Sequence, residues 1–202
     1  MRRRVLLSSV ALSLSATAGC LSDARRQVSG PIRFGHARGR LHDAERSFVR
    51  GGLGGSPTEE SYAVWLFPEA PPSDVSVFTD ALGAETQREW DNEVHNENYD
   101  EGFILLAQIR TPGERATTLS PVPHSCDPGW TGWRRARIPL GLERTDLSDD
   151  LADATAVVAT LATYVESSET PRRATVPFLS EAADSCDAAN ATLTARPWTN
   201  PA

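Results

Sequence analysis

Apolar residues along this chain gather in short runs, and proline or glycine closes most of them. Tyr62 to Phe67 is one such run, stopped by Pro68 and Pro71-Pro72, and Val75-Ser76-Val77-Phe78 continues in the same manner. Phe103 to Ile109 is nearly all apolar and ends at Pro112-Gly113, the pattern of a central strand covered on both faces. Arg134 to Leu140 alternates polar and apolar until Pro139, and Ile32-Arg33-Phe34 predicts a first short strand. Arg173 to Leu179 carries Pro177, which has no N–H to give a ladder, and so predicts an edge strand.

Two stretches depart from that pattern. Leu82, Thr86, Trp90 and Val94 recur every four residues, which predicts one modest helix near 81–94, capped by Asp80. In residues 154–165, Val158, Ala162 and Val165 fit one helical face. Six of those 12 residues are nevertheless Thr or Val, β-branched types suited to a pleated surface, and a strand is the better reading. About seven or eight short strands follow, which predicts an all-β fold: an antiparallel β-sandwich, with an immunoglobulin-like arrangement as one form of it. The expected organisation is a signal peptide over 1–19, a tether over 20–30, one β-rich domain over 31–190 and a flexible C-terminal tail over 191–202. Trp198 is the one residue of that tail expected to tuck back onto the domain.

Composition narrows the function. The chain has 202 residues and no lysine, so all 20 of its basic residues are arginine, against 27 acids. Without lysine there is no Walker phosphate loop, Schiff-base lysine or Ser-Lys dyad. The charge is uneven. Residues 21–50 hold seven Arg and three acids, while 51–202 are strongly acidic. The acidic body argues against nucleic acid as a partner, because phosphate binding needs clustered positive charge. The basic segment suggests either contact with anionic headgroups or simply a solvated tether and first strand. At a salt concentration near 1 M, where the Debye length is about 3 Å, the second reading prevails.

The N-terminus reads as an address. Arg2-Arg3-Arg4 precede an apolar stretch of 14 residues, Val5 to Ala18, too short for the roughly 20 that span a bilayer. It ends in Thr17-Ala18-Gly19-Cys20, which resembles a lipobox, and the arginines before Val5-Leu6-Leu7 are similar to a twin-arginine export signal. Met1 abuts those arginines, so general secretory export stands as the alternative route. With arginine replacing all lysine and abundant Asp, Glu, Thr and Ala, the chain resembles a haloarchaeal secreted lipoprotein. That resemblance implies lipidation of Cys20, anchoring in the membrane on its extracytoplasmic face, and no particular activity. A two-chain lipid holds firmly where one short chain holds marginally, at about 0.8 kcal/mol per buried methylene.

With Cys20 lipidated, Cys126 and Cys186 remain, an even number in an oxidising compartment. A disulfide between them is the expectation, and two separate buried thiols are the other reading. No Cys-x-x-Cys spacing marks them as redox-active.

Candidate chemistry is sparse. Asp91 to Glu101 is rich in oxygen ligands but lacks the glycine and terminal glutamate of an EF-hand loop, so an acidic solvated turn is the plainer reading. The histidines at 36, 42, 95 and 124 have no zinc-site spacing, and the His124-Ser125-Cys126 run lacks the second histidine and methionine of a blue-copper site. Gly-x-Ser-x-Gly is absent. Trp130 and Trp133, flanked by glycines and followed by Arg134 and Arg135, could stack on sugar rings, with Arg135 bonding hydroxyls; the competing reading packs them in the core beside Cys126. Asn190-Ala191-Thr192 is an N-glycosylation sequon. The expectation is a membrane-anchored binding or interaction module without enzymatic activity, cofactor or metal. Its partner would be a surface protein or glycan. The alternative is a carbohydrate-binding or carbohydrate-active domain using Trp130 and Trp133.

Overall fold

The computed structural model describes residues 31–43, 46–53, 61–112, 117–121, 126–144, 155–166, 169–180 and 185–201. The signal peptide expected over 1–19, the tether expected over 20–30 with its Cys20, and His124 therefore lie outside the described residues. Among the described residues, ten strands and one α-helix run in chain order: β1 (Arg33–Asp43), β2 (Ser61–Phe67), α1 (Ala84–Asn96), β3 (Gly102–Pro112), β4 (Thr117–Ser120), β5 (Gly129–Gly132), β6 (Arg135–Arg137), β7 (Leu140–Arg144), β8 (Thr155–Val165), β9 (Arg173–Ser180) and β10 (Ala189–Pro197). Within the stretch 154–165, Thr155–Val165 is thus a strand, and its β-branched content outweighs its helical face.

The antiparallel sandwich expected from the sequence is not what forms. The strands follow one path, β1-β8-β3-β2-β10-β9-β6-β5, with β4 and β7 joined beside it through β9, and this sheet curls into a nearly closed, mixed barrel carrying one short helix. Three pairings are parallel: β10 with β2, β6 with β9, and β7 with β9. The reason lies in β10. It pairs antiparallel with β9 from Ala189 to Ala195, then turns onto β2 at Arg196 and Pro197, linking two arcs that a sandwich would keep as separate sheets. Residues 191–197, expected within a flexible tail, are this corner strand. Tyr62 and Phe178 meet across the two arcs with ring centroids 4.9 Å apart.

Strand β9 is likewise interior rather than an edge. Pro177 is tolerated because, on its β6–β7 side, the partner changes there: β6 pairs as far as Thr175 and β7 begins at Phe178. The neighbouring chain breaks its own ladder at the same level, next to Pro139, so the missing N–H falls where no regular pairing is available.

The barrel has two apolar layers, set by the period-2 alternation of β3. Phe103, Leu105, Ala107 and Ile109 join the interior cluster with Ala136, Ile138, Val176 and Phe178. Ile104 and Leu106 join an outer cluster with Phe48, Val77, Phe78, Trp90 and Val94, covered by α1 and by the segments around 48 and 78. Trp90 and Val94, one helical turn apart, are the residues α1 buries, and Trp90 meets Phe78 edge-on at 5.4 Å. The helix starts at Ala84 rather than after Asp80. Asp80 opens a short 3-10 turn whose cap is the hydroxyl of Thr79, and Gly83, with φ of 78°, makes the break between turn and helix.

Polar side chains pin this outer layer. Gln108, fully buried on β3, accepts the Phe48 N–H at 3.0 Å and donates to the Ser47 hydroxyl. Asp91 of α1 accepts the Val77 N–H at 2.8 Å and the Ser76 hydroxyl at 2.6 Å. Each satisfies a backbone donor that no strand partner serves.

Candidate functional site

The structure separates the residues singled out in the sequence. Cys126 and Cys186 are joined in a disulfide across 60 residues, tying the approach to β5 to the approach to β10. Arg137 reinforces the same junction by donating to the Cys186 carbonyl and pairing with Asp187 at 3.4 Å. Asn190 is exposed at an irregularity in the β9–β10 ladder, and Thr192 of the sequon is exposed on the same face. Trp130, on β5, packs against the interior cluster, whereas Trp133, in the β5–β6 turn, is 66% exposed. Arg135 is exposed on β6. The two tryptophans therefore do not make a pair of exposed rings.

The acidic run 91–101 and the arginines of β1 serve each other. Arg38 on β1 lies 2.6 Å from Glu93 and 3.8 Å from Glu89, Arg40 donates to Thr86, and Arg46 pairs with Asp80. Arg38 and Arg40 thus reach α1, and Arg46 reaches Asp80 in the 3-10 turn before it. Asp91 and Glu93, the leading acids of the supposed calcium run, hold backbone and arginine instead. Among the described residues no three His, Cys, Asp or Glu side chains cluster as a metal site would require.

One constellation that the sequence did not reveal looks catalytic at first sight. The Thr163 hydroxyl lies 2.9 Å from His36 Nδ1, and His36 Nε2–H donates to Glu93 at 3.1 Å, an arrangement of hydroxyl, imidazole and carboxylate. It is a wall fitting. Thr163 is buried, its oxygen also accepts the His36 backbone N–H, and a Cβ at Gly35 would come within 2.9 Å of that oxygen. A substrate has no approach to the hydroxyl past the β1 backbone.

The concave chemistry lies elsewhere, where β2, the β5–β6 turn, the β8–β9 connection and β10 converge. A cavity of about 560 Å³ is lined by Pro68, Glu69, Arg134, Glu169, Thr170, Arg172 and Pro197. A second, of about 280 Å³, is lined chiefly by Leu66, Phe67, Pro68, Pro71, Pro72 and Trp198. The two share Pro68, Glu69 and Pro197 and so form one bipartite hollow, charged in one lobe and apolar in the other.

Local backbone structure builds both lobes. Arg134 has a φ of 47°, the one positive value outside glycine among the described residues, and its carbonyl accepts the N–H groups of Arg172 at 2.9 Å and Arg173 at 3.2 Å. These bonds hold an unfavourable turn conformation in place and tie the two arginine-bearing segments together. Trp198 continues β10 alongside β2 by donating its N–H to the Leu66 carbonyl at 2.9 Å. Its indole N–H and the Arg134 Nε–H are both buried without an acceptor among the described residues, and neither Arg134 nor Arg172 has an ion-pair partner there. Beside the charged lobe, burial pushes the Glu166 carboxyl up to about 7; a Thr170 hydrogen bond opposes the shift and the charge of Glu169 adds to it.

In the sequence Arg134 stands beside Trp133 and opens the alternating run to Leu140, and Pro68 to Pro72 mark a strand stop. No spacing rule links residues 68, 134, 172 and 198, which only the strand order brings together. No protein-family model, curated protein or solved structure matches this chain.

Proposed function

We propose that this chain is a lipid-anchored, extracytoplasmic binding module without enzymatic activity of its own. The anchoring half rests on the lipobox-like Thr17-Ala18-Gly19-Cys20 and the arginine-led apolar leader before it. The observation that carries the binding half is the bipartite hollow, charged in one lobe and apolar in the other. The Arg134 and Arg172 guanidinium groups there pair with no carboxylate among the described residues, and the adjoining lobe is apolar, which favours a guest with acceptor groups and an apolar part. The disulfide agrees with an oxidising compartment.

Cell fractionation of the unaltered chain and of a Cys20→Ser variant tests the anchoring. Retention of the unaltered chain in the membrane fraction and release of the variant supports it; equal partitioning of both contradicts it. A glycan-contacting role is the second reading, and it now rests on Trp133, the exposed ring of the original pair. Loss of polysaccharide retention in a Trp133→Ala variant would favour that reading over the hollow.

A further inference from the structure

The charged lobe presents Arg134 and Arg172 together with Glu69 and Glu169, two positive and two negative groups, none with an ion-pair partner among the described residues. That balance decides the class of guest. A simple anion would be drawn to the guanidinium groups but repelled by the carboxylates, and a simple cation would meet the reverse. A zwitterion satisfies both. The Arg134 and Arg172 guanidinium groups offer a carboxylate the planar, paired N–H match that guanidinium prefers. The adjoining lobe, walled by prolines, Phe67 and Trp198, takes an apolar side chain.

The charged lobe has about twice the volume of the apolar one, about 560 against 280 Å³, so the two charged ends of the guest have room to stand apart. We infer that the hollow binds a small zwitterion bearing an apolar side chain, of the kind that a short peptide or a free α-amino acid presents. The guest's carboxylate sits toward Arg134 and Arg172, its ammonium toward Glu69 and Glu169, and its side chain against Trp198. This rests on the binding reading above and adds the ligand class.

The test is calorimetric titration of the full chain in detergent micelles with three probes: the tripeptide Ala-Phe-Ala, the same tripeptide acetylated and amidated at its ends, and free phenylalanine. The free tripeptide is expected to bind, and the blocked one to bind about tenfold more weakly or not at all. Phenylalanine binding as tightly as the tripeptide identifies a free amino acid as the source, and weaker binding identifies a peptide. Arg172→Gln, which leaves the strained Arg134 turn untouched, is expected to weaken the tripeptide about tenfold, while Trp133→Ala leaves it unchanged. A silent titration with all three probes, or equal affinity for free and blocked tripeptides, overturns the inference. Either result leaves membrane anchoring to be judged separately by fractionation.

Discussion

Trp198 stacks on Phe67 with ring centroids 6.0 Å apart and planes inclined by 24°, while its backbone N–H continues β10 along β2 by bonding to Leu66. This contact lets the C-terminal segment complete the barrel rather than hang from it. Trp198→Ala is expected to lower stability by about 2 kcal/mol, because the ring is half-buried against the outer cluster. Removing residues 191–202 strips β9 and β2 of their shared partner, and that chain is expected not to unfold cooperatively in urea. A sharp, native-like transition for the truncated chain would show that β10 is dispensable.

Gln108 is a buried amide between the apolar Ala107 and Ile109 of β3, and it serves the Phe48 N–H and the Ser47 hydroxyl. Gln108→Leu preserves bulk but leaves that N–H without an acceptor, at a cost of about 1–3 kcal/mol. Chemical denaturation reads this as a lower midpoint with an unchanged slope. A midpoint at or above that of the parent chain would mean that the 46–53 segment is held by other contacts.

Closing a loop across 60 residues stabilises the fold by about 4 kcal/mol in the chain-entropy view. A Cys126→Ser, Cys186→Ser double variant should therefore melt well below the parent chain, and adding a reductant to the parent should reproduce most of the drop. Coincident melting curves with and without reductant would show that the bridge adds little.

Burial holds the Glu166 carboxyl near 7 in the folded state, against an ordinary value of 4.5. Because the folded form binds this proton more tightly than the unfolded form, the stability it contributes is complete below about pH 4.5. It fades as pH rises through about 7. Glu166→Gln keeps the neutral shape at every pH, so its melting temperature is expected to exceed that of the parent above pH 7 and to match it near pH 4. A constant difference between the two across this range would assign the effect to something other than ionisation.

Individual strands were more legible in the sequence than their partners. Phe103 to Ile109 announced a strand buried on both faces because alternation and all-apolar runs are local properties of one segment. Val75 to Phe78 is a similar apolar run yet, among the described residues, forms a single bridge, Val49 to Phe78, because Asp91 and Gln87 of α1 take the Val77 N–H and the Phe78 carbonyl. Pairing is a relation between distant segments, and β10 turning from β9 to β2 leaves no mark in the period of its own residues. Pro177 misled for a related reason: its missing N–H excludes a regular ladder at that point, but not an interior position beside a strand broken at the same level. The hollow has no local signature either, since Pro68, Arg134, Arg172 and Trp198 come from four separate parts of the chain.

Lipid anchoring is decided by the intact mass of the protein purified from membranes. The expected mass is that of a chain beginning at Cys20 and heavier than its residues by a lipid group, with a further two hydrogens gained on reduction of the Cys126–Cys186 bridge. Recovery of an unmodified chain still beginning at Met1, from the soluble fraction, would contradict it.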